Sequence, residues 1–279
     1  MEHRKLEIRL NSGLSIISAF ANWKGAALAL DHQMIMNIHE EKEPKNTWNI
    51  RMVLRELSRI YKKEANIKVE ITQKIPAGMG MKSSSALVAG IVKAFSLFND
   101  IEMSTEKIVS ISSKISRDTK TSATGAADDL YASLLGGLCV TDNRKNVLSR
   151  RYIVPSRQYV IITSKRKISS YEMRNLEIEH MRKLYDNMWK RVNPHNYEDI
   201  AVMNGFYLSQ ASGQSMELPD IKELGFSSMG LNGKGASLFL KYENVEIMKK
   251  DLELLDKRKL RYIIGKSTNT GSSYKWVND

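Results

Sequence analysis

The 279-residue chain holds a single cysteine, Cys139. One cysteine excludes an intramolecular disulfide and fits a reducing, cytoplasmic setting. It lies between Leu138 and Val140, so the expectation is a small buried hydrophobe. No apolar run is long enough to cross a bilayer, which excludes a membrane-spanning role. The opening residues, Met1-Glu-His-Arg-Lys, lack the apolar core of a signal peptide. The five histidines, His3, His32, His39, His180 and His195, show no metal-ligand spacing. Internal repeats and low-complexity segments are absent. So is the Gly-x4-Gly-Lys-Ser/Thr spacing of a Walker A loop.

Positive charge is in excess: 43 Lys and Arg face 31 Asp and Glu, a formal net charge of +12. Such a field favours anionic partners: nucleic acid, nucleotides or a carboxylated metabolite. The charge is scattered, however. Its local clusters, Lys165-Arg166-Lys167 and Lys257-Arg258-Lys259, carry no interleaved aromatics of the kind that build a nucleic-acid platform. A solvated basic surface without a nucleic-acid partner is the expectation. The hydrophobic content of 42% suffices for one large domain or two ordinary ones.

The stretch from Ile75 to Gly90 organises the rest. Gly78 and Gly80 are followed by Lys82 and the hydroxyls of Ser83, Ser84 and Ser85. Apolar residues then recur at helical spacing: Leu87, Val88, Ile91, Val92, Phe95 and Phe98. Glycines allow φ > 0 and close backbone approach to a ligand. A helix start offers unpaired N–H groups and a positive dipole end, which suits phosphate. A Ser-rich helix cap is the plainer alternative. Ile67–Ile71 alternates as a strand leading into this loop, so the context is strand, glycine loop, helix.

Elsewhere, Leu6–Leu10 and Ser15–Ser18 read as separate strands divided at Gly13, and Asn22–Asp31 as a turn entering a third. Ile50–Tyr61 presents one apolar helix face. A helix capped by Ser104 runs to about Ile115. Asp128 and Asp129 follow Thr124-Gly125 at another helix start, and Gly136-Gly137 releases a strand at Leu138. By itself the acidic pair is either dipole-favoured helix charge or a functional pair. Tyr159–Thr163 and Leu238–Tyr242 read as strands; 171–191, 199–212 and 245–255 read as helices. A domain boundary is expected near Pro155. Ser228–Ser237 is a second glycine-rich loop, and Asn269–Tyr274 a polar tail.

Pro76-x-Gly-x-Gly-x-x-Ser-Ser resembles the ATP-binding motif of the GHMP kinases, which include homoserine and mevalonate kinases. Most members carry Gly-Leu-Gly-Ser-Ser-Ala, whereas this chain has Gly80-Met-Lys-Ser-Ser-Ser-Ala86, similar to the archaeal shikimate kinases. Asp129 lies seven residues before Gly136 and Asp118 eleven before Asp129, matching the family's acceptor-facing Asp and its acidic magnesium ligand. The second glycine loop and the tail resemble the family's later motifs. In the former, Asn232, Lys234 and Ala236 replace Ser, Thr and Pro. Lys24, in a Lys-Gly-Ala-Ala segment, resembles an N-terminal element of the archaeal enzymes; a loop lysine is the equal alternative. The N-terminal catalytic lysine of mevalonate-type members has no counterpart, since its place reads Ser12-Gly13-Leu14.

The resemblance implies an α+β GHMP kinase fold. Residues 1–154 would form an ATP-binding domain like ribosomal protein S5 domain 2, and 155–279 a ferredoxin-like domain. It implies ATP-dependent phosphorylation of shikimate with Mg2+. Pro76, Ala77, Gly78, Met79, Gly80, Met81, Lys82, Ser83, Ser84, Ser85 and Ala86 would hold the triphosphate. Ser84 and Asp118 would ligate magnesium. Asp129 would act on the acceptor hydroxyl, with Lys82 and Lys24 offsetting developing charge. Thr124, Gly125, Asp128, Asn232 and Gly233 would meet the acceptor. The alternatives are another small-molecule GHMP kinase, a basic RNA-binding protein with an S5-like domain, or a catalytically silent binding module.

Overall fold

In a computed structural model the described residues are 4–77, 79–163, 178–213, 223–233 and 237–277. Gly78, the Lys165–Lys167 cluster, the first part of the expected 171–191 helix, and Lys234 and Ala236 lie outside them. Among the described residues, no helix is long and apolar enough to cross a membrane.

Two antiparallel sheets carry the fold. The first is built on β1 (Lys5–Ile17) and β2 (Lys24–Glu40). The predicted break at Gly13 does not occur. There β1 runs so close to β2 that a Cβ would sit 2.6 Å from the Leu28 carbonyl oxygen. Glycine here permits close approach within one strand; the register shifts fall on either side of it, between Asn11 and Ser12 and between Ser15 and Ile17. The two halves of β2 take different partners. Ile35–Glu40 pairs with β3 (Ile67–Gln73), and Lys24–Leu28 with β4 (Leu138–Asp142). β5 (Val147–Tyr152) continues from β4, and β10 (Ser273–Val277) returns to the free side of β1.

The second sheet has the order β7-β8-β6-β9, from Ser228–Leu231, Ser237–Lys241, Gln158–Thr163 and Tyr262–Lys266. Residues 155–266 thus hold this sheet, while the last strand belongs to the first. We propose a division at residue 155, with the C-terminal strand crossing back.

Helix α1 (Trp48–Tyr61) buries Ile50, Val53, Leu54 and Leu57 of the predicted face, while Ile60 at its end stays exposed. α2 (Ser83–Phe98) is buried nearly all round and packs against α1, α3 and α4. Gly90 lets it press on the first sheet, where a Cβ would overlap the Met36 methyl. α3 (Thr105–Asp118) starts at Ser104, whose Oγ accepts the Lys107 N–H at 3.3 Å. α4 (Ala127–Leu135) follows, then α5 (Arg182–Arg191), α6 (Tyr197–Ser212) and α7 (Val245–Lys257).

The polar tail is a staple. Asn269 mimics a strand neighbour, accepting from Val154 N–H at 3.0 Å and donating to Val154 O at 2.8 Å. Gly137 N–H donates to Thr268 O at 2.8 Å, and a Cβ at Gly136 would collide with the Thr270 carbonyl. Gly136-Gly137 and this tail therefore lock the α4–β4 junction, the element that carries Asp128 and Asp129.

Candidate active site

The glycine loop closes onto the second sheet. Gly80 has φ +73°, and a Cβ there would stand 2.1 Å from Asn232 O, so both conformation and space demand glycine. Met79 O accepts the Ser237 hydroxyl. Met81 is fully buried and anchors the loop in the core. Lys82 is left-handed (φ +70°) at the N-cap of α2 and makes no side-chain cap. The ladder of α2 begins with Ala86 N–H donating to Lys82 O at 3.0 Å. The N–H groups of Ser83, Ser84 and Ser85 precede it, at the positive end of the helix dipole.

Released from capping, the Lys82 side chain runs inward. Its Nζ lies 2.7 Å from Asp129 Oδ1 and donates to Ser15 Oγ. The two side chains are only 6% and 17% exposed. Asp129 Oδ1 is buried and held by this charge contact.

The chain enters α4 through two left-handed residues, Gly125 (φ +80°) and Ala126 (φ +52°). Ser113 Oγ and Arg117 crowd Gly125, and a Cβ would overlap both. Thr124 Oγ1 accepts from Ala126 N–H and Asn143 Nδ2, each at 3.4 Å. Asp128 is buried against Gly25 of β2. Asn143 Nδ2 donates to its Oδ1 at 2.7 Å, and its own N–H donates to Asn143 Oδ1 at 3.3 Å. Thr141 Oγ1 donates to the same Asn143 Oδ1 at 2.6 Å. Burial, then the charge of Asp129, push the Asp128 carboxyl up to about 7; Lys82 and the Asn143 hydrogen bond oppose this. Adjacent carboxylates thus differ: Asp128 is netted into the scaffold, Asp129 is held by a single cation.

These groups share one cavity of about 100 Å³, whose wall includes Ser15, Ser18, Gly80, Lys82, Ser83–Ser85, Asp128, Asp129 and Gly233. A smaller chamber of about 40 Å³ shares Ser84 with it and is lined by Trp48, Met52, Val53, Leu87 and Val88. The first space is of mixed polarity; the second is mostly apolar.

Several expected residues stand elsewhere. Asp118 ends α3, is 40% exposed, pairs with Lys114 one turn back, and does not line the cavity. Ser84 does, so the pair expected to hold magnesium does not converge. Among the described residues no cluster of three or more His, Cys, Asp or Glu could hold a metal either. Lys24 Nζ bonds Asp186 Oδ1 of α5 at 2.9 Å and lies 5.0 Å above the Trp189 ring, away from the cavity wall. Pro76, Ala77, Thr124, Gly125 and Asn232 do not line the cavity, though their neighbours Ala123, Ala126 and Gly233 do. Ser15, Ser18 and Asn143 were missed by motif reading. Ser15 and Ser18 sit in an unremarkable strand sequence, and Asn143 was legible only as a polar residue closing β4.

The family profile of the GHMP kinases N terminal domain matches residues 48–137, which span α1 through the α4–β4 junction. The chain is 30% identical to a shikimate kinase of Thermoplasma acidophilum over 240 residues, covering 83% of this chain and 85% of that one. It is 27% identical to a shikimate kinase of Pyrococcus furiosus, covering 82% and 88%. In structure it is similar to the mevalonate kinase of Methanococcus jannaschii, with TM-score 0.74 at 17% identity over 94% of this chain and 98% of that one. A homoserine kinase from Cytophaga hutchinsonii gives 0.72 at 16% identity over 97% of each. The structural likenesses establish the shared α+β fold. With the sequence relatives covering most of both chains, the chain belongs to the GHMP kinases, in the group of archaeal-type shikimate kinases.

Proposed function

We propose that this protein transfers the γ-phosphoryl group of ATP to a hydroxyl of shikimate, giving ADP and shikimate 3-phosphate. The observation that carries the chemistry is the Lys82–Asp129 contact at a cavity shared with the α2 N-terminus. Backbone N–H groups of Ser83–Ser85 and the loop at Gly80 receive the triphosphate. The apolar chamber beside Ser84 takes the adenine ring, with Trp48 and Leu87 against its faces and edge. Asp129 orients the acceptor hydroxyl and receives its proton as the oxygen bonds to phosphorus and the bridge to ADP breaks. The Lys82 ammonium offsets charge gathering on the transferred group.

Kinases of this family use ATP, usually with Mg2+. The side chains expected to hold the ion do not fit it as they stand, because Asp118 is engaged by Lys114 outside the cavity.

The test is ADP release by the intact protein with shikimate, homoserine or mevalonate as acceptor. Shikimate-dependent release well above the other two is the expected result. Preference for either alternative moves the protein to another branch of the family. Salt-sensitive RNA binding without ATP turnover would replace the kinase reading altogether.

A further inference from the structure

The end of β1 and the turn after it give the cavity Ser15, Ser18, Ala19 and Phe20. No motif marks this stretch, yet two buried asparagines hold it in the same manner. Ser15 N–H donates to Asn232 Oδ1 at 3.0 Å, and Ser18 N–H donates to Asn204 Oδ1 at 2.9 Å. These partners lie 217 and 186 residues away along the chain, Asn232 after β7 and Asn204 on α6. In both asparagines the oxygen is used while Nδ2, inside a fully buried side chain, has no partner. Ser18 Oγ is equally buried and equally unpartnered.

Buried polar groups without hydrogen bonds are rare and unfavourable, and three gathered at two adjacent anchor points call for an explanation. Packing does not supply one, since apolar side chains would fill the same space without orphaned donors. A ligand does supply one for Ser18, the member of the three that lines the cavity. Ser15 is already committed, because its Oγ accepts from Lys82, the lysine paired with Asp129. Three residues further along the same segment, Ser18 lines the same cavity as Asp129. It takes no part in the apolar chamber that Ser84 shares.

We infer that the Ser18 hydroxyl binds an oxygen of the acceptor, a ring hydroxyl or a carboxylate, and that Asn204 is the positioning residue fixing it there. The inference rests on the kinase reading above and adds to it the acceptor-recognition residue. It also makes acceptor binding depend on α6 docking against the end of β1.

Steady-state kinetics on the intact protein test it, with ATP, shikimate and two sets of analogues, one lacking single ring hydroxyls and one with the carboxylate replaced by an amide. Ser18→Ala is expected to raise the acceptor KM roughly 5- to 30-fold and leave the ATP KM within about twofold, the range of one lost buried hydrogen bond. Asn204→Ala should raise the acceptor KM in the same selective way, and the double variant should be little worse than either single one, because both act through one contact. One analogue should bind wild type as weakly as shikimate binds Ser18→Ala, and be indifferent to that substitution. Which analogue does so distinguishes hydroxyl from carboxylate.

Equal shifts in both KM values, additive effects in the double variant, or full sensitivity of every analogue to Ser18→Ala would each overturn the inference. If Ser18→Ala lowers the melting temperature sharply, Ser18→Cys preserves the volume, weakens the hydrogen bond and carries the same expectations. Failure of wild type to release ADP with shikimate overturns the proposed function. Normal wild-type turnover with an unaltered Ser18→Ala overturns only this inference.

Discussion

Two lysine–aspartate pairs join distant parts of this chain, and they serve different ends. Lys82 and Asp129 meet at 2.7 Å in the cavity between the starts of α2 and α4. Lys24 and Asp186 meet at 2.9 Å where the start of β2 faces α5, with their side chains 29% and 33% exposed. Lys24 also lies over Trp189, whose Nε1 donates to Thr141 O at 3.0 Å. Asn22 Nδ2 adds a second donor to Asp186 Oδ1 at 2.8 Å, and these bonds hold the Asp186 carboxyl below the usual range. The second pair is saturated by its surroundings and acts as a clamp. The first lies in the wall of the cavity, beside the glycine loop. Both pair a lysine with an aspartate; what separates them is that the first lines the cavity and the second does not.

The comparison breaks most sharply at Asp129. Asp129→Asn keeps the shape while removing charge and basicity. Turnover is expected to fall roughly 10²- to 10⁴-fold with the ATP KM little changed, in steady-state kinetics backed by circular dichroism. Near-normal turnover would move the chemistry to another group.

Gly80→Ala is the next largest effect. The new methyl would press on the Asn232 carbonyl from a left-handed backbone, forcing the two glycine loops apart. The ATP KM should rise about tenfold or more, well beyond any change in the shikimate KM. Equal changes would mean that the loop does not specifically serve the nucleotide.

Asp128 sharpens the contrast within the acidic pair. Its carboxyl ordinarily titrates at 3.8 and is pushed up to about 7 in the fold. Between those values the folded protein keeps a proton that the unfolded chain has lost, so this residue makes stability fall as pH rises through that window. Asp128→Asn should remove the fall and raise stability at pH 8 by on the order of 2–4 kcal/mol, read by urea denaturation at pH 5 and pH 8. Turnover should drop by less than about tenfold, far less than in Asp129→Asn. An unchanged pH dependence of stability would show that Asp128 is ionised at little cost.

The smallest effect is expected at the clamp. Lys24→Met removes one half-screened ion pair and one cation–π contact, about 1 kcal/mol together. The melting temperature should fall by a few degrees, while kcat stays within about threefold of wild type. A hundredfold loss of turnover would instead place Lys24 among the catalytic groups.

Short-range features were legible from spacing. The α1 face, β3, the Ser104 cap and the glycine loop feeding α2 are all set by residues within a turn or two of each other, where propensity and periodicity act directly. Motif spacing also picked out Lys82 and Asp129, which the fold brings into contact although they are 47 positions apart in the chain. Other features were decided only by tertiary packing. Gly13 signalled a break, but close approach to Leu28 kept β1 continuous. Asp118 has an acidic residue's spacing from Asp129, yet the last turn of α3 directs it to Lys114. Asp128 and Asp129 are neighbours in sequence, but side chains about 100° apart on a helix meet different surroundings, Gly25 and Asn143 for one and Lys82 for the other. The anchoring of Ser18 by Asn204 and the return of β10 to β1 join segments far apart in the chain. Local periodicity sets the elements and their apolar faces; which elements meet, and which polar atoms are left open where they meet, is fixed only when the whole chain has packed.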